Sequence, residues 1–416
     1  MANRRRFLTE AALRGASALS MPLVLQKRMN LLAQASREVV DSSVPGDRLR
    51  IRDVRGDAVQ EPAGERRRYL FVRIETAAGL HGVGEATLRG EPAATVLSRI
   101  PAVKQELQGK DASLIEAIWL ELGGNAILES RLPRPLLAAV NMALWDIYGK
   151  VLNAPVYRFS GGPARTKVRV YAGIEASSAS GIRDAARQLL ASGIRTFRVT
   201  LPALASSEDG PRRIRPLIRQ MEALRSELGD EVDLILDCGR QLPPSDAATL
   251  ATALERLHFL WISDPCESAD RDLYAKLSSE TVTPLGMTHA IGNATETMDF
   301  LRRNALDVIE TSLADAGGIS GLRRIANMAE TYYVALAPAA GDGPVATAAG
   351  LQFAAIVSNF YILGLRVPLE AENRRMRQEL HQSSLETASS GFLELPSKPG
   401  LGIELNPSAL EKYRAR

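Results

Sequence analysis

Eight residues able to do chemistry stand at or just past the ends of short β-branched runs: Asp237, Cys238, Asp264, Cys266, Glu267, His289, Asp315 and Asp342. Carboxylates beside an imidazole can bind a metal ion or exchange protons with a substrate. His289 lies two residues past Met287, so a continuing strand would point both side chains to one face. Asp237, Asp264 and His289 therefore make one candidate cluster, for a metal or for acid–base work. The competing expectation is that strand-end polar groups, abundant in any barrel, mostly bond loop backbones. Cys238 and Cys266 follow adjacent runs and would either form a disulfide in an oxidising compartment or remain two buried thiols. Arg198, with Arg195, is suited either to gripping a small anion at the mouth of a fold or to being a solvated strand end.

The elements that would carry these residues follow from periodicity. From Leu49 to Glu85 the chain alternates in strand fashion, with a turn near Ala78 and Gly79. Residues 92–121 and 134–152 show apolar residues at helical spacing, which places Trp119 and Trp145 on packed faces. His81 follows the turn and reads as structural, and Arg66, Arg67 and Arg68 as an exposed run. From Lys167 onward short runs recur: 168–173, 195–201, 232–237, 260–265, 282–287, 306–311 and 333–338. Amphipathic stretches such as 181–193 and 321–331 lie between them, so the units are strand–helix repeats and the strands parallel. Seven or eight such units predict a closed (β/α) barrel with its chemistry at the carboxyl ends of the strands. No glycine-rich phosphate loop follows the first run, which argues against an open doubly wound sheet.

The 416 residues allow two or three domains, and 45% apolar with 24% charged residues describes a globular chain. The net charge of +3 has no clustered basic excess after the first 30 residues, which excludes a nucleic-acid binder. Two cysteines exclude a disulfide-stapled scaffold and a four-cysteine zinc module, and only four histidines are present. No apolar run is long enough for an integral membrane segment. At the amino terminus Arg4, Arg5 and Arg6 precede Phe7 and Leu8, an apolar stretch and an A-x-A site at Ala33 and Ala35. Residues 1–35 therefore read as a twin-arginine export signal, which predicts a periplasmic protein. The alternative is a basic amphipathic helix on a cytoplasmic one. Residues 36–47 read as a linker.

The segment MALWDIYGKVLNAPVYRFSGG (142–162) resembles a signature of the enolase superfamily. The stretches 71–86, 317–330, 343–360 and 398–413 match in the same order. The likeness is closest to the mandelate racemase and muconate lactonizing enzyme group with its sugar-acid dehydratases, of which galactonate dehydratase is one. It implies an α+β capping domain over 48–160 and a modified (β/α)7β TIM-type barrel over 161–365. It also implies a segment, 366–416, that returns to the cap, and a homo-oligomer.

Family chemistry abstracts a proton alpha to a carboxylate, and the resulting enediolate needs a divalent cation, usually magnesium. The resemblance places its three carboxylate ligands at the ends of the third, fourth and fifth barrel strands. Asp237 matches the first; Ser263, with Asp264 beside it, and Met287 replace the others. A Lys-x-Lys pair would stand at Arg198 and Thr200, an Asp–His dyad at Ser312 and Ala339, and a Glu at Gly364. Arginine keeps its proton and threonine has no useful pKa. The expectation is a fold that has lost metal-assisted proton abstraction, acting without a cofactor as a pseudoenzyme or small-molecule-binding protein. The alternative is a divergent sugar-acid dehydratase or racemase-like lyase for a carboxylate substrate. It would use magnesium, or the shifted cluster of Asp237, Asp264 and His289. In either case Arg198, Asp315 and Asp342 are the candidate contacts to a small carboxylate or sugar acid.

Overall fold

The first three strands are β1 (Ile51–Gln60), β2 (Arg68–Thr76) and β3 (His81–Ala86), paired antiparallel in that order. The computed structural model describes Lys27 and residues 47–415, except 66, 89, 125–131, 175–177, 203–209, 267–269 and 289–293. The expected export signal and nearly all of the expected linker lie outside the described residues, as do Arg66, Glu267 and His289. Cap and barrel together make one unit, Pro45–Arg416, and Met1–Val44 make another.

The cap sheet is held down by the helix Arg134–Val151, which is buried along most of its length because nearly every residue on it is apolar or small. Its one buried carboxylate, Asp146, explains the Trp-Asp of the signature segment. Asp146 accepts from the Val83 amide of β3 (3.1 Å) and from the Leu401 amide of the carboxyl-terminal segment (2.8 Å), and pairs with Lys150 at 2.9 Å. One side chain thus ties three parts of the chain. The same segment reaches β1, where Gln60 donates to the Tyr413 carbonyl and Ala415 to the Ala58 carbonyl. Trp119 and Trp145 are buried, and His81 faces Glu404 at 3.2 Å.

The parallel strands are β4 (Lys167–Ile174), β5 (Thr196–Thr200), β6 (Asp233–Asp237), β7 (Trp261–Ser263), β8 (Leu285–Met287), β9 (Val308–Ile309), β10 (Ala335–Leu336) and β11 (Leu363–Leu365). They pair in sequence from β4 to β10, and β11 returns to β4. Bridges Leu336↔Phe360 and Ala339↔Gly364 join β10 to β11 and close the barrel. The last strands are shorter than the runs that predict them, because tilted neighbours share only two or three ladder positions before the chain bends into a loop. A further strand, β12 (Phe392–Glu394), pairs antiparallel with the start of β4. Inside the barrel Tyr171, Ile235, Trp261, Val308, Ala337 and Ile362 pack together, so its centre is a side-chain core and not a channel.

Candidate functional site at the barrel mouth

Strand pleating decides which residues face inward. In β5, Thr196, Arg198 and Thr200 share one face, while Phe197 and Val199 lie buried on the other. Arg198 therefore projects across the barrel interior just below its mouth. Its Nη1 donates to Glu310 Oε2 (2.8 Å), its Nη2 to Ser263 Oγ (3.0 Å), and its Nε to Asp237 Oδ2 (3.3 Å), which also lies 3.1 Å from Nη2. Ser263 in turn donates to Glu310 Oε1 at 2.5 Å. Asp237 is completed by the Thr200 hydroxyl (3.3 Å) and the Gly239 amide (2.9 Å). One planar cation is thus clamped by side chains from the ends of β6 and β7 and from just beyond β9.

Burial would lower the pKa of Arg198, but Glu310, Tyr171, Asp237 and Asp264 around it outweigh that and hold it above its ordinary value. Burial pushes the Glu310 carboxyl up to about 7, against the pull of Arg198 and the Ser263 bond. Tyr171 is pushed up to about 12 by burial and stays a neutral phenol. Its ring meets Trp261 edge-on at 6.1 Å. A Cβ on Gly364 would lie 2.5 Å from the Tyr171 hydroxyl, so the glycine makes room for the phenol.

Above this cluster lies a cavity of about 260 Å³ between cap and barrel, lined among others by Arg67, Thr87, Tyr171, Arg198, Asp342 and Arg366. Ser312, Ala339 and Gly364 form part of its wall. Arg67 pairs with Glu65 (3.0 Å) and lies 3.8 Å from Asp342, and Arg366 pairs with buried Glu61 (2.6 Å).

The sequence-predicted residues divide. Arg198, Asp237 and Ser263 come together, and Arg198 and Asp342 reach the cavity. Asp264 does not bond Arg198 directly: in a left-handed backbone conformation (φ 45°) it accepts from the Thr288 amide and hydroxyl. It thereby fixes the loop after β8, as the competing expectation had it. Ser312 caps the short helix Leu313–Ala316 and donates to Asp315 (2.6 Å), which binds Asp315 to its own turn. Arg195 does not join Arg198: it enters β5 at the opposite end and donates to the carbonyls of Leu190 and Ile194 (both 3.0 Å). Arg67 is half-buried against the cavity and is not part of an exposed run. Cys238 and Cys266 are buried thiols that are not joined in a disulfide, and burial pushes the Cys238 pKa well up.

Glu310 escaped the sequence reading although a signal was there. It shares the pleat face of Val308 and Ser312, one step deeper than the position the resemblance marks. A glutamate directly after buried Val308 and Ile309 needs a cation, and Arg198 is an arginine on an inward face.

A capped parallel barrel with acidic and basic groups at its strand ends defines the class: enolase-type proteins. The chain belongs to the mandelate racemase and muconate lactonizing enzyme family. Residues 60–161 match the family's amino-terminal domain and 181–409 the enolase C-terminal domain-like model. It is 31% identical to a D-galactonate dehydratase of Variovorax paradoxus (strain S110) over 349 residues, covering 82% of this chain and 89% of that one. Among solved structures, an enolase of Agrobacterium radiobacter, a candidate galactarate dehydratase bound to sodium and L-malate, has a TM-score of 0.77 at 26% identity, covering 88% and 95% of the two chains. The 3,6-anhydro-D-galactonate cycloisomerase of Zobellia galactanivorans has a TM-score of 0.74 at 23% identity, with 88% and 100% covered, and shares the fold.

The divalent cation that the resemblance implies does not fit the described residues. Met287 offers a soft thioether where a hard cation needs oxygen, and Asp237 is already engaged by the guanidinium. Among the described residues no three His, Cys, Asp or Glu side chains are placed to hold a metal.

Proposed function

We propose that this chain binds a small carboxylate of the sugar-acid class at the barrel mouth and does not perform metal-assisted proton abstraction. The observation that carries the reading is the cavity lining: Ser312, Ala339 and Gly364, which the resemblance aligns with the family's base positions, form its wall together with Arg198 and Asp342. A positioned base contributes ~10²–10⁴-fold to such a reaction, and none of Ser312, Ala339 and Gly364 can serve as one at neutral pH. Guanidinium groups from Arg67 and Arg366, with the hydroxyls of Thr87 and Tyr171, suit a ligand carrying both a carboxylate and alcohols. The sugar-acid class is further supported by the D-galactonate dehydratase relative.

Calorimetric titration of EDTA-treated protein with a panel of hexonates and hexarates tests this. Binding that magnesium leaves unchanged, with no keto-acid product by ¹³C NMR, is expected. Magnesium-dependent dehydration of any of them would overturn the reading. That second reading, a divergent dehydratase, is favoured by the 31% identity over most of both chains. It would act through Asp237, Asp264 and His289, and loss of turnover in His289→Ala would establish it. The proposed setting is the periplasm, as a homo-oligomer, supported by Arg4 to Leu8 and by the family resemblance. Retention of an Arg4→Lys, Arg5→Lys variant inside the cell tests export, and light scattering of the purified chain tests assembly.

A further inference from the structure

We infer that the Arg198 guanidinium is a resident cation standing where the family's fold would hold a divalent metal, and that removing it opens a latent divalent-cation site on Asp237, Glu310 and Ser263. The inference deepens the reading of a metal-independent barrel and rests on it.

Three oxygens, from the ends of β6 and β7 and from just beyond β9, converge on this one positive group: Glu310 Oε2 at 2.8 Å, Ser263 Oγ at 3.0 Å and Asp237 Oδ2 at 3.1 Å. A buried carboxylate stays ionised only beside a compensating charge. Glu310 is fully buried, and Asp237 is largely so. A divalent ion and a guanidinium answer the same need in different ways. The metal can leave, exchange and share its coordination sphere with a substrate, whereas arginine is covalently held and always charged. Its planar fork matches the geometry, with Nη1 directed to one carboxylate and Nε with Nη2 to the other. Ser263 fits the same arrangement: a hydroxyl between Arg198 and Glu310 accepts from one and donates to the other, which a carboxylate at that position could not do. Of the two positions lost from the family's ligand set, Ser263 is therefore one that accommodates an internal cation. With the guanidinium deleted, two carboxylates and a hydroxyl face a space vacated by a cation. These are hard oxygen donors of the kind that manganese and magnesium prefer.

The test is manganese binding followed by electron paramagnetic resonance, with thermal melting read alongside. Wild type is expected to bind no manganese at this site, and Arg198→Ala to bind one ion per chain at least tenfold more tightly. Arg198→Ala with Glu310→Gln is expected to lose that site again. Arg198→Gln, which retains side-chain bulk without charge, guards against a folding defect and is expected to gain a manganese-dependent rise in melting temperature. Failure of both single variants to respond to manganese would overturn the inference, as would a manganese site in wild type that Asp237→Asn abolishes. Failure of wild type to bind any sugar acid overturns the proposed function instead and leaves the manganese result of Arg198→Ala standing.

Discussion

Arg198 and Glu310 are each costly to bury and are kept by the other. Replacing one partner of such a pair strands the second charge, which typically costs about 3–5 kcal/mol. Arg198→Ala is expected to fall in that range by urea unfolding, and Arg198→Lys to lose part of it, because a point charge cannot reproduce bonds to Glu310, Ser263 and Asp237 together. Glu310→Gln behaves differently. The glutamate pKa of about 7 means that the folded protein holds a proton that the unfolded chain releases near 4.5. A carboxyl raised in this way stabilises the fold below its unfolded pKa, and the gain is lost as pH climbs to about 7. The amide removes that dependence, so the stability difference between pH 4.5 and 7 should shrink by on the order of 3 kcal/mol, at about 1.4 kcal/mol per unit. An unchanged pH slope in Glu310→Gln would contradict this assignment.

At the scale of elements, the site is a consequence of strand parity and of two residues chosen for space and for linkage. Gly364 gives the Tyr171 ring its place between β4 and β11. Gly364→Ala is expected to cost about 1–3 kcal/mol through overpacking, and Tyr171→Phe in that background should not relieve it, because ring carbons clash as well as the hydroxyl. Asp146 joins helix, cap sheet and carboxyl-terminal segment. Asp146→Ala should lower the urea midpoint sharply, whereas a surface acid such as Glu394 should leave it nearly unmoved. Most of this framework was legible in the sequence. Runs such as VDLILD and RTFRVTL announce buried strands, and the 142–162 segment carries the cap–barrel junction. What periodicity could not supply was distance across the barrel. Arg195 and Arg198 are three residues apart, yet Arg195 bonds the turn before β5 while Arg198 projects inward from the middle of the strand, and Glu310 lies 112 residues from the arginine that it binds. Asp264 was expected at a metal site because it follows a strand, but its left-handed backbone turns it onto Thr288.

For the whole molecule, buried carboxyls set the response to acid. Glu85, whose Oε2 accepts from the Val345 and Ala346 amides at 3.1 Å each, is raised to about 7 by burial, as Glu310 is. Both contributions are full below pH 4.5 and fade as pH rises through 7. Glu386 has the opposite sign: burial alone would raise it, but Arg377 and His381 hold it at about 2, so its contribution is lost as pH falls from 4.5 toward 2. The two trends meet, and urea midpoints between pH 3 and 8 should peak in the mildly acidic range. A midpoint that rises steadily to pH 8 would contradict that balance. Charge is balanced at the barrel mouth too: Asp237 and Glu310 are neutralised from within, by Arg198. The most direct test is a manganese titration of EDTA-treated wild-type protein followed by electron paramagnetic resonance. Free aqueous manganese is expected throughout the titration; one bound ion per chain that is lost in Asp237→Asn would contradict neutralisation by Arg198.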